Sequence, residues 1–199
     1  MEYVKINKKK VFIDNSHLYL ESFNLSNITE IKRLKRYSNI TELYLEKNNL
    51  IKIEGLDDLI NLRKLHLESN SITEINGLDS LINLEELELS DNKIIKIKNL
   101  DKCLKLKELL LNRNRIEKIE GLSKLTNLLH LDLSNNFIKN IDGMKNLKNV
   151  KHLNISNNQI KNIENLIHLT SLETLEIEGN PITNFDVLKN LRNLKRIRK

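Results

Sequence analysis

Apolar and polar residues follow a frame along this chain that repeats every 22 residues. Before each repeat's central asparagine lies an L-x-x-L-x-L segment, for example Leu128, Leu131 and Leu133, whose period of two predicts a short strand with one buried face. After the central asparagine, apolar residues such as Ile138 and Ile141 are expected to face the core along the segment that leads back to the next strand, which we call the return path. The central asparagines are Asn48, Asn70, Asn92, Asn114, Asn136, Asn158 and Asn180. A repeat of this length predicts a solenoid.

A single repeat cannot bury its apolar stripe, whereas stacked neighbours bury it as one continuous core. We therefore divide the chain into an N-terminal cap with a degenerate repeat (1–39), seven repeats (40–193) and a basic C-terminal fragment of a further repeat (194–199). The strands of successive repeats are expected to pair in parallel, about 4.8 Å apart. The predicted outcome is a curved slab.

Two columns of the repeat have roles that their residue types indicate. A turn out of a strand leaves backbone groups unpaired, and a buried asparagine amide can both donate to them and accept from them. We therefore expect the seven central asparagines to form a structural ladder. The second column reads Gly55, Gly77, Asn99, Gly121, Gly143 and Asn165. Gly and Asn tolerate positive φ best, so we expect it at all six positions and a different turn at Val187.

The repeats also carry a family resemblance. The segments "LYLEKNNLIKIEGLDDLINL" and "LDLSNNFIKNIDGMKNLKNV" follow the pattern L-x-x-L-x-L-x-x-N-x-I-x-x-I-x-G-L-x-x-L-x-N. This arrangement resembles the leucine-rich repeat proteins, in particular the 22-residue class of the leucine-rich regulatory subunit of type-one protein phosphatase. The resemblance implies an α/β leucine-rich repeat solenoid: a horseshoe with a concave parallel β-sheet and a convex side of 3₁₀ and extended segments.

Composition limits the kind of core and the cellular location that we expect for the protein. Only 4% of residues are aromatic, so the core must consist of stacked aliphatic side chains. Cys103 is the only cysteine, and the start "MEYVKINKKKVF" lacks the apolar run of a signal peptide, which favours an intracellular, cytoplasmic or nuclear location. No stretch approaches the roughly 18 apolar residues of a spanning helix. We expect no membrane partner and interpret the lysine-rich ends as aids to solubility.

Strand positions between the buried leucines define a candidate binding surface on the concave side. These positions hold twelve acidic and six basic residues, although the whole chain has a formal net charge of +6. A negative surface repels phosphate, so we expect no nucleic acid and favour a protein partner with a basic or mixed surface. The candidate partner-binding residues are Tyr44, His66, Glu85, Glu86, Glu88, Asp91, Glu108, Leu110, His130, Asp132 and Glu176.

The sharpest cluster in this set is Glu85, Glu86, Glu88 and Asp91. It lies beside apolar and aromatic side chains, and such a patch within an acidic rim is typical of a protein-binding hot spot. His130 and His152 occupy the same offset in adjacent repeats, but no recognisable ligand spacing accompanies them. We therefore expect no metal and no cofactor.

These observations predict a binding protein and no enzyme, because no phosphate loop or nucleophile with a base emerges from the sequence. We expect a non-enzymatic scaffold that docks a protein on its acidic concave face. The resemblance makes regulation of a type-one serine/threonine protein phosphatase its most concrete form. The alternatives are a cytoskeletal or ciliary attachment module and an internalin-like bacterial surface binder. We expect a monomer, with self-association through the C-terminal edge as the alternative.

Overall fold

Eleven short strands make up the regular β-structure of the protein, for which the computed structural model describes residues 2–199. They are β1 (Tyr3–Ile6), β2 (Lys9–Phe12), β3 (His17–Tyr19), β4 (Glu42–Tyr44), β5 (Lys64–His66), β6 (Glu86–Glu88), β7 (Glu108–Leu110), β8 (His130–Asp132), β9 (His152–Asn154), β10 (Thr174–Glu176) and β11 (Arg196–Arg198). Strands β3 to β11 pair in parallel, in sequence order, as one nine-stranded sheet. The predicted solenoid with a parallel sheet is confirmed.

The central residue of each repeat strand is a leucine that faces the core. Leu43, Leu87 and Leu131 are each 0% exposed, whereas the residues on either side of them remain partly accessible. This alternation follows from the period of two in a strand. The leucines join the apolar residues of the return paths in one cluster that spans the stacked repeats, and Cys103 is buried within it.

The convex side consists of short 3₁₀ helices joined by turns and extended segments, as predicted. The 3₁₀ helices are Ile28–Glu30, Leu34–Arg36, Asp142–Met144, Glu164–His168 and Asp186–Asn190. Within residues 2–199, no helix has the length and apolar character needed to cross a membrane.

Each central asparagine ties its own turn to the preceding repeat. The Nδ2 group of Asn114 donates to the carbonyl oxygens of Leu111 at 3.0 Å and Asn112 at 3.3 Å. It also donates to Leu89 of the preceding repeat at 2.9 Å, while its Oδ1 accepts from the Ile94 N–H at 2.9 Å. The same four contacts recur at Asn48, Asn70, Asn92, Asn136, Asn158 and the half-buried Asn180. The ladder therefore bonds the stacked repeats to one another.

A second, exposed series of asparagines lies just before the strands, and the sequence analysis gave it no role. Its members each donate through Nδ2 to the carbonyl oxygen 23 residues earlier, and they are Asn61, Asn83, Asn127, Asn149 and Asn193. Water competes for these exposed groups, so each bond contributes less than a contact of the buried ladder.

The expectation of positive φ in the glycine column is wrong at two of its six positions. Gly55, Gly77, Asn99 and Gly121 have positive φ, whereas Gly143 and Asn165 do not. Both of these residues lie in 3₁₀ helices, Asp142–Met144 and Glu164–His168, which replace the left-handed turn. Gly143 is required for another reason, because a Cβ there would lie 1.9 Å from the carbonyl oxygen of Ile119. The turn thus changes from the fifth repeat onward, earlier than the seventh repeat predicted from Val187.

The two ends of the sheet are covered differently. At the N-terminal end, β1 and β2 form an antiparallel hairpin, and Val4 and Ile6 bury their side chains in the core. At the C-terminal end, β11 forms the last strand of the sheet, and its Ile197 is 37% exposed. The N-terminal edge is therefore better shielded from solvent.

Replacing Asn114 with alanine should destabilise the protein strongly. The substitution removes the buried Asn114 amide. Three backbone carbonyl groups lose their donor, and the Ile94 N–H group loses its acceptor. Buried groups left without partners cost about 1–3 kcal/mol each, and partial relaxation reduces the sum, so we expect a loss of roughly 3 kcal/mol in the free energy of unfolding. Urea denaturation of the purified protein measures this loss.

Asn127→Ala is the matched control, because it makes the same substitution on the exposed series. Asn127 gives one hydrogen bond, to the Leu104 carbonyl at 2.8 Å, and water can replace it. We expect a change within about 0.5 kcal/mol. Equal losses for the two variants would contradict a special role of the buried ladder.

Candidate functional site

Two columns of side chains project from the concave face of the sheet. The leading column holds the residue before each central leucine: Glu42, Lys64, Glu86, Glu108, His130, His152 and Thr174. The trailing column holds the residue after it: Tyr44, His66, Glu88, Leu110, Asp132, Asn154 and Glu176. Strands β3 and β11 extend these columns by His17 and Arg196 on the leading side and by Tyr19 and Arg198 on the trailing side. Most of the predicted binding residues therefore lie in two straight rows.

The concave surface ends before the polar residues that follow the second leucine of each strand segment. Three of these residues, Ser90, Ser134 and Ser156, are each only 4% exposed. Their backbone carbonyls accept from the central asparagine of the same repeat, which draws this segment into the turn. These serines belong to the core side of the turn and offer a partner no contact.

Basic residues along the leading side pair with acids of neighbouring strands. Lys64 Nζ lies 3.6 Å from both the Glu42 and the Glu86 carboxylates. Lys107 Nζ lies 2.5 Å from Glu85, which also faces Arg63 at 3.7 Å. Such exposed pairs add little stability, but they neutralise charge. Glu85 and Glu86 are thus internally paired, and the predicted acidic cluster is divided.

Aromatic rings cover the start of the trailing column. Tyr19 stacks on Tyr44 with ring centroids 4.7 Å apart, and Tyr44 contacts the His66 ring at 4.8 Å. The Tyr44 hydroxyl donates to Glu42 at 2.5 Å. Burial is the larger cause that raises the pKa of Tyr44, and this hydrogen bond is the next. Tyr19, which is 52% exposed, was missing from the predicted set because its repeat is degenerate in sequence. Its alignment with Tyr44 appears only in the strand register.

His66 joins three successive repeats through its imidazole ring. Nε2 lies 2.8 Å from Glu86 and Nδ1 lies 3.4 Å from Glu46. Burial acts to lower the pKa of His66, but the hydrogen bonds and charges of Glu46 and Glu86 outweigh burial and raise it. A neutral ring can donate from only one nitrogen, so both contacts are satisfied only when His66 is protonated.

Five acids on the trailing side have no cationic partner among residues 2–199. They are Glu68, Glu88, Asp91, Asp132 and Glu178. Glu88 is half-buried between His66 and Leu110, and burial raises its pKa despite hydrogen bonds from Ser90. Asp132 lies two strands further, on β8, and accepts from the Ser134 N–H at 2.8 Å. The unpaired negative charge is therefore concentrated on one half of the concave face.

The remaining candidate residues lie in the later repeats. Glu108 faces His130 Nδ1 at 3.0 Å, and the His130 and His152 rings meet edge to face at 5.9 Å. Glu176 pairs with Arg198 at 3.3 Å. Across residues 2–199, His, Cys, Asp and Glu side chains form no group of three or more suited to a metal ion. Charge pairing dominates here, as on the leading side.

The effect of His66 on stability should depend on pH. Because its folded pKa is raised, protonated His66 stabilises the protein fully below its unfolded value of about 6.5. This stabilisation is lost as pH rises through the raised value. We expect His66→Gln to destabilise the protein most at about pH 5 and progressively less toward about pH 9, in urea denaturation.

The control for this experiment is the same substitution in a Glu46→Gln, Glu86→Gln background. Without the two carboxylates, the hydrogen bonds and charges that raise the pKa of His66 are removed, and burial is opposed only by the charge of Glu88. The destabilisation by His66→Gln at low pH should then shrink or reverse in sign. An unchanged pH dependence in that background would show that another group is responsible.

Three solved structures similar to this chain are internalins from Listeria monocytogenes. Internalin C2 has a TM-score of 0.86 and 25% identity, with 92% of this chain and 80% of that chain covered. Internalin inlF has a TM-score of 0.71 and 25% identity, with 92% and 59% covered. The functional domain of InlJ, at 22% identity and a TM-score of 0.69, shares the fold; 92% of this chain and 43% of that chain are covered. This chain therefore spans only about half of the last two.

Family membership follows from the sequence itself. No curated protein sequence matches the chain. The family pattern described as "Leucine Rich repeats (2 copies)" matches residues 60–102, 104–147 and 148–197. These segments cover well over half of the chain and carry six of the seven ladder asparagines, strands β5 to β10 and most of β11. The protein belongs to the leucine-rich repeat family.

Proposed function

We propose that this protein is a non-enzymatic scaffold that binds a basic protein surface on the trailing side of its concave face. The family is typical of protein-interaction scaffolds, and solenoids bind partners along extended concave surfaces. The observation that carries the proposal is the division of charge across the sheet. Acids of the leading side pair within the protein, whereas Glu88 and Asp132 have no cation of their own.

An incoming lysine or arginine would find both charge and apolar contact at this position. Glu88 lies in register between His66 and Leu110, and Tyr44 follows beyond His66. A half-buried carboxylate without a cation gains more from a partner's charge than an exposed one, because less water screens it. Tyr44 and Leu110 provide packing surface next to that charge. On the trailing side, Lys47 and Arg198 pair with carboxylates, whereas Arg113 has no carboxylate partner in residues 2–199. Arg113 would therefore repel a basic segment that extended past β7.

The most specific form of this proposal is regulation of a type-one serine/threonine protein phosphatase. It rests on the resemblance of the 22-residue repeat and on the positions of Tyr44, Glu88 and Asp132 along one column. We propose an intracellular setting for this role, because Cys103 is a free, buried thiol. The structural neighbours from Listeria favour a second candidate, a bacterial surface binder, through the same fold. Microscopy of the tagged protein in its source cells separates these settings.

Neutralising the two unpaired acids should weaken partner binding. In Glu88→Gln plus Asp132→Asn, each side chain keeps its shape and its acceptor for the Ser90 or Ser134 N–H. Loss of two close charge pairs at an interface should lower affinity by on the order of 100-fold. Proteins captured from source-cell lysate are identified by mass spectrometry, and their affinities for both forms are then measured by calorimetry.

The matched control removes two acids from the convex side, with Glu117→Gln plus Glu120→Gln. Both residues are exposed, and neither forms an ion pair in the described part of the chain. The control should bind as the wild type does, and a partner that responds equally to both variants would overturn the concave site. Calorimetry with a purified type-one phosphatase catalytic subunit tests the specific form separately. If the catalytic subunit does not bind, the phosphatase role is wrong. The scaffold proposal is then tested by the captured partners alone.

A further inference from the structure

Three lysines line up across the N-terminal hairpin. Lys10 of β2 pairs with Lys5 of β1 in the antiparallel register. Lys5 in turn exchanges two backbone hydrogen bonds with Lys32, at 3.0 Å and 2.9 Å. Directly opposed residues in antiparallel strands project to the same face of the sheet. The outer face of the hairpin therefore carries a row of three like charges that the sequence alone does not bring together.

This row is electrostatically unfavourable, and no carboxylate in residues 2–199 pairs with it. Like charges directly opposite one another destabilise a sheet. All three lysines are exposed, and none forms an ion pair in residues 2–199. The nearby carboxylates are engaged elsewhere: Glu2 accepts from Asn39, and Glu30 accepts from the backbone N–H groups that begin its 3₁₀ helix. Lys8 and Lys9 at the hairpin turn add to the positive charge.

Aromatic side chains lie on the same face, two residue pairs further along the hairpin. Tyr3 pairs with Phe12 in the register, their rings meet edge-on at 6.1 Å, and Phe12 is 51% exposed. The Tyr3 ring is occupied by two cations, Lys10 Nζ at 4.5 Å and Arg33 Cζ at 4.2 Å from its centroid. Burial acts to raise the pKa of Tyr3, but Arg33, Lys10 and Lys5 outweigh it and lower that pKa.

Arg33 lies beside this face in the degenerate repeat. It occupies the column that Gly55 and Gly77 fill in the following repeats, and its φ of 76° is the conformation that this turn also has there. Its Nε is buried and has no hydrogen-bond partner in residues 2–199. The guanidinium therefore rests on the Tyr3 ring and adds a fourth cation near the row of lysines.

We propose that this hairpin face binds the surface of an anionic membrane. This departs from the expectation of no membrane partner, because that expectation did not include the row that Lys5, Lys10 and Lys32 form in the structure. Clustered lysines bind acidic headgroups, and an exposed phenylalanine beside them can enter the interface between headgroups and acyl chains. The observations favour a lipid surface over single-stranded nucleic acid, because cations already occupy the Tyr3 ring and hinder base stacking there. The face lies on the hairpin cap, apart from the trailing column, so the membrane and a protein partner would use different surfaces.

Vesicle flotation with the full chain tests this proposal. We expect binding to phosphatidylcholine vesicles that contain about 30% phosphatidylserine, no binding to pure phosphatidylcholine vesicles, and weaker binding as salt increases. Lys5→Gln, Lys10→Gln and Lys32→Gln together should lower vesicle affinity roughly 100-fold, since each lysine near an anionic surface contributes about fivefold. The melting temperature of this triple variant should be unchanged or higher, because the substitutions relieve repulsion.

The matched control is Lys96→Gln, Lys139→Gln and Lys161→Gln, which removes the same charge from exposed residues of the convex side. It should keep most of the vesicle affinity, and an equal loss would show that net charge alone is responsible. Phe12→Ser should weaken vesicle binding and leave its salt dependence intact. Equal binding to neutral vesicles, or no vesicle binding, overturns the proposal. Binding of a single-stranded oligonucleotide without vesicle binding, abolished by the triple variant, assigns the face to nucleic acid instead.

Discussion

The hydrogen bonds of the buried asparagine ladder are the constraint on which the rest of the structure depends. Each amide satisfies carbonyls of two successive turns and an N–H of the preceding repeat, so neighbouring repeats can stack in only one relative position. A shift of one residue would leave buried polar groups unpaired and would turn the core leucines outward. The nine strands consequently keep a constant register from β3 to β11.

Constant register converts a sequence of separate repeats into continuous columns of side chains. Because corresponding residues stand one strand apart, Lys64 can contact acids on both sides, and His66 can bridge Glu46 and Glu86. The concave face therefore has a pattern of charge that no individual repeat possesses. One side of it is internally neutralised and the other retains unpaired acids. In the proposed function, selectivity would arise from this difference between the two sides more than from the total number of acids.

The repeat frame made most of the fold predictable, and the same frame explains where prediction failed. Asn136 is buried and Phe137 is 49% exposed, because each occupies a fixed offset in every repeat. Side chains outside the regular frame were missed: Tyr19 lies in a degenerate repeat, and the contact of Lys5 with Lys32 depends on a non-repeat hairpin. The ion pairs of Glu85 with Lys107 and of Glu86 with His66 were missed as well. The repeat shows which positions share a surface, but it does not show which side chains meet there. Close approach of backbones, as at Gly143, leaves no distinct signature in sequence.

The uniform stacking also has a consequence for how such a protein can diverge. Duplication of one 22-residue unit between β6 and β7 would preserve the ladder and leucine-core contacts, because these are the same between every two neighbouring repeats. The only geometric change would be to move Glu88 and Asp132 apart by one more strand spacing, about 4.8 Å. The distance between two such acids can therefore change by whole strand spacings, while the leucine core stays the same. Gain or loss of a repeat would switch the spacing of basic residues that the surface accepts, whereas point substitutions only adjust the strength of each contact.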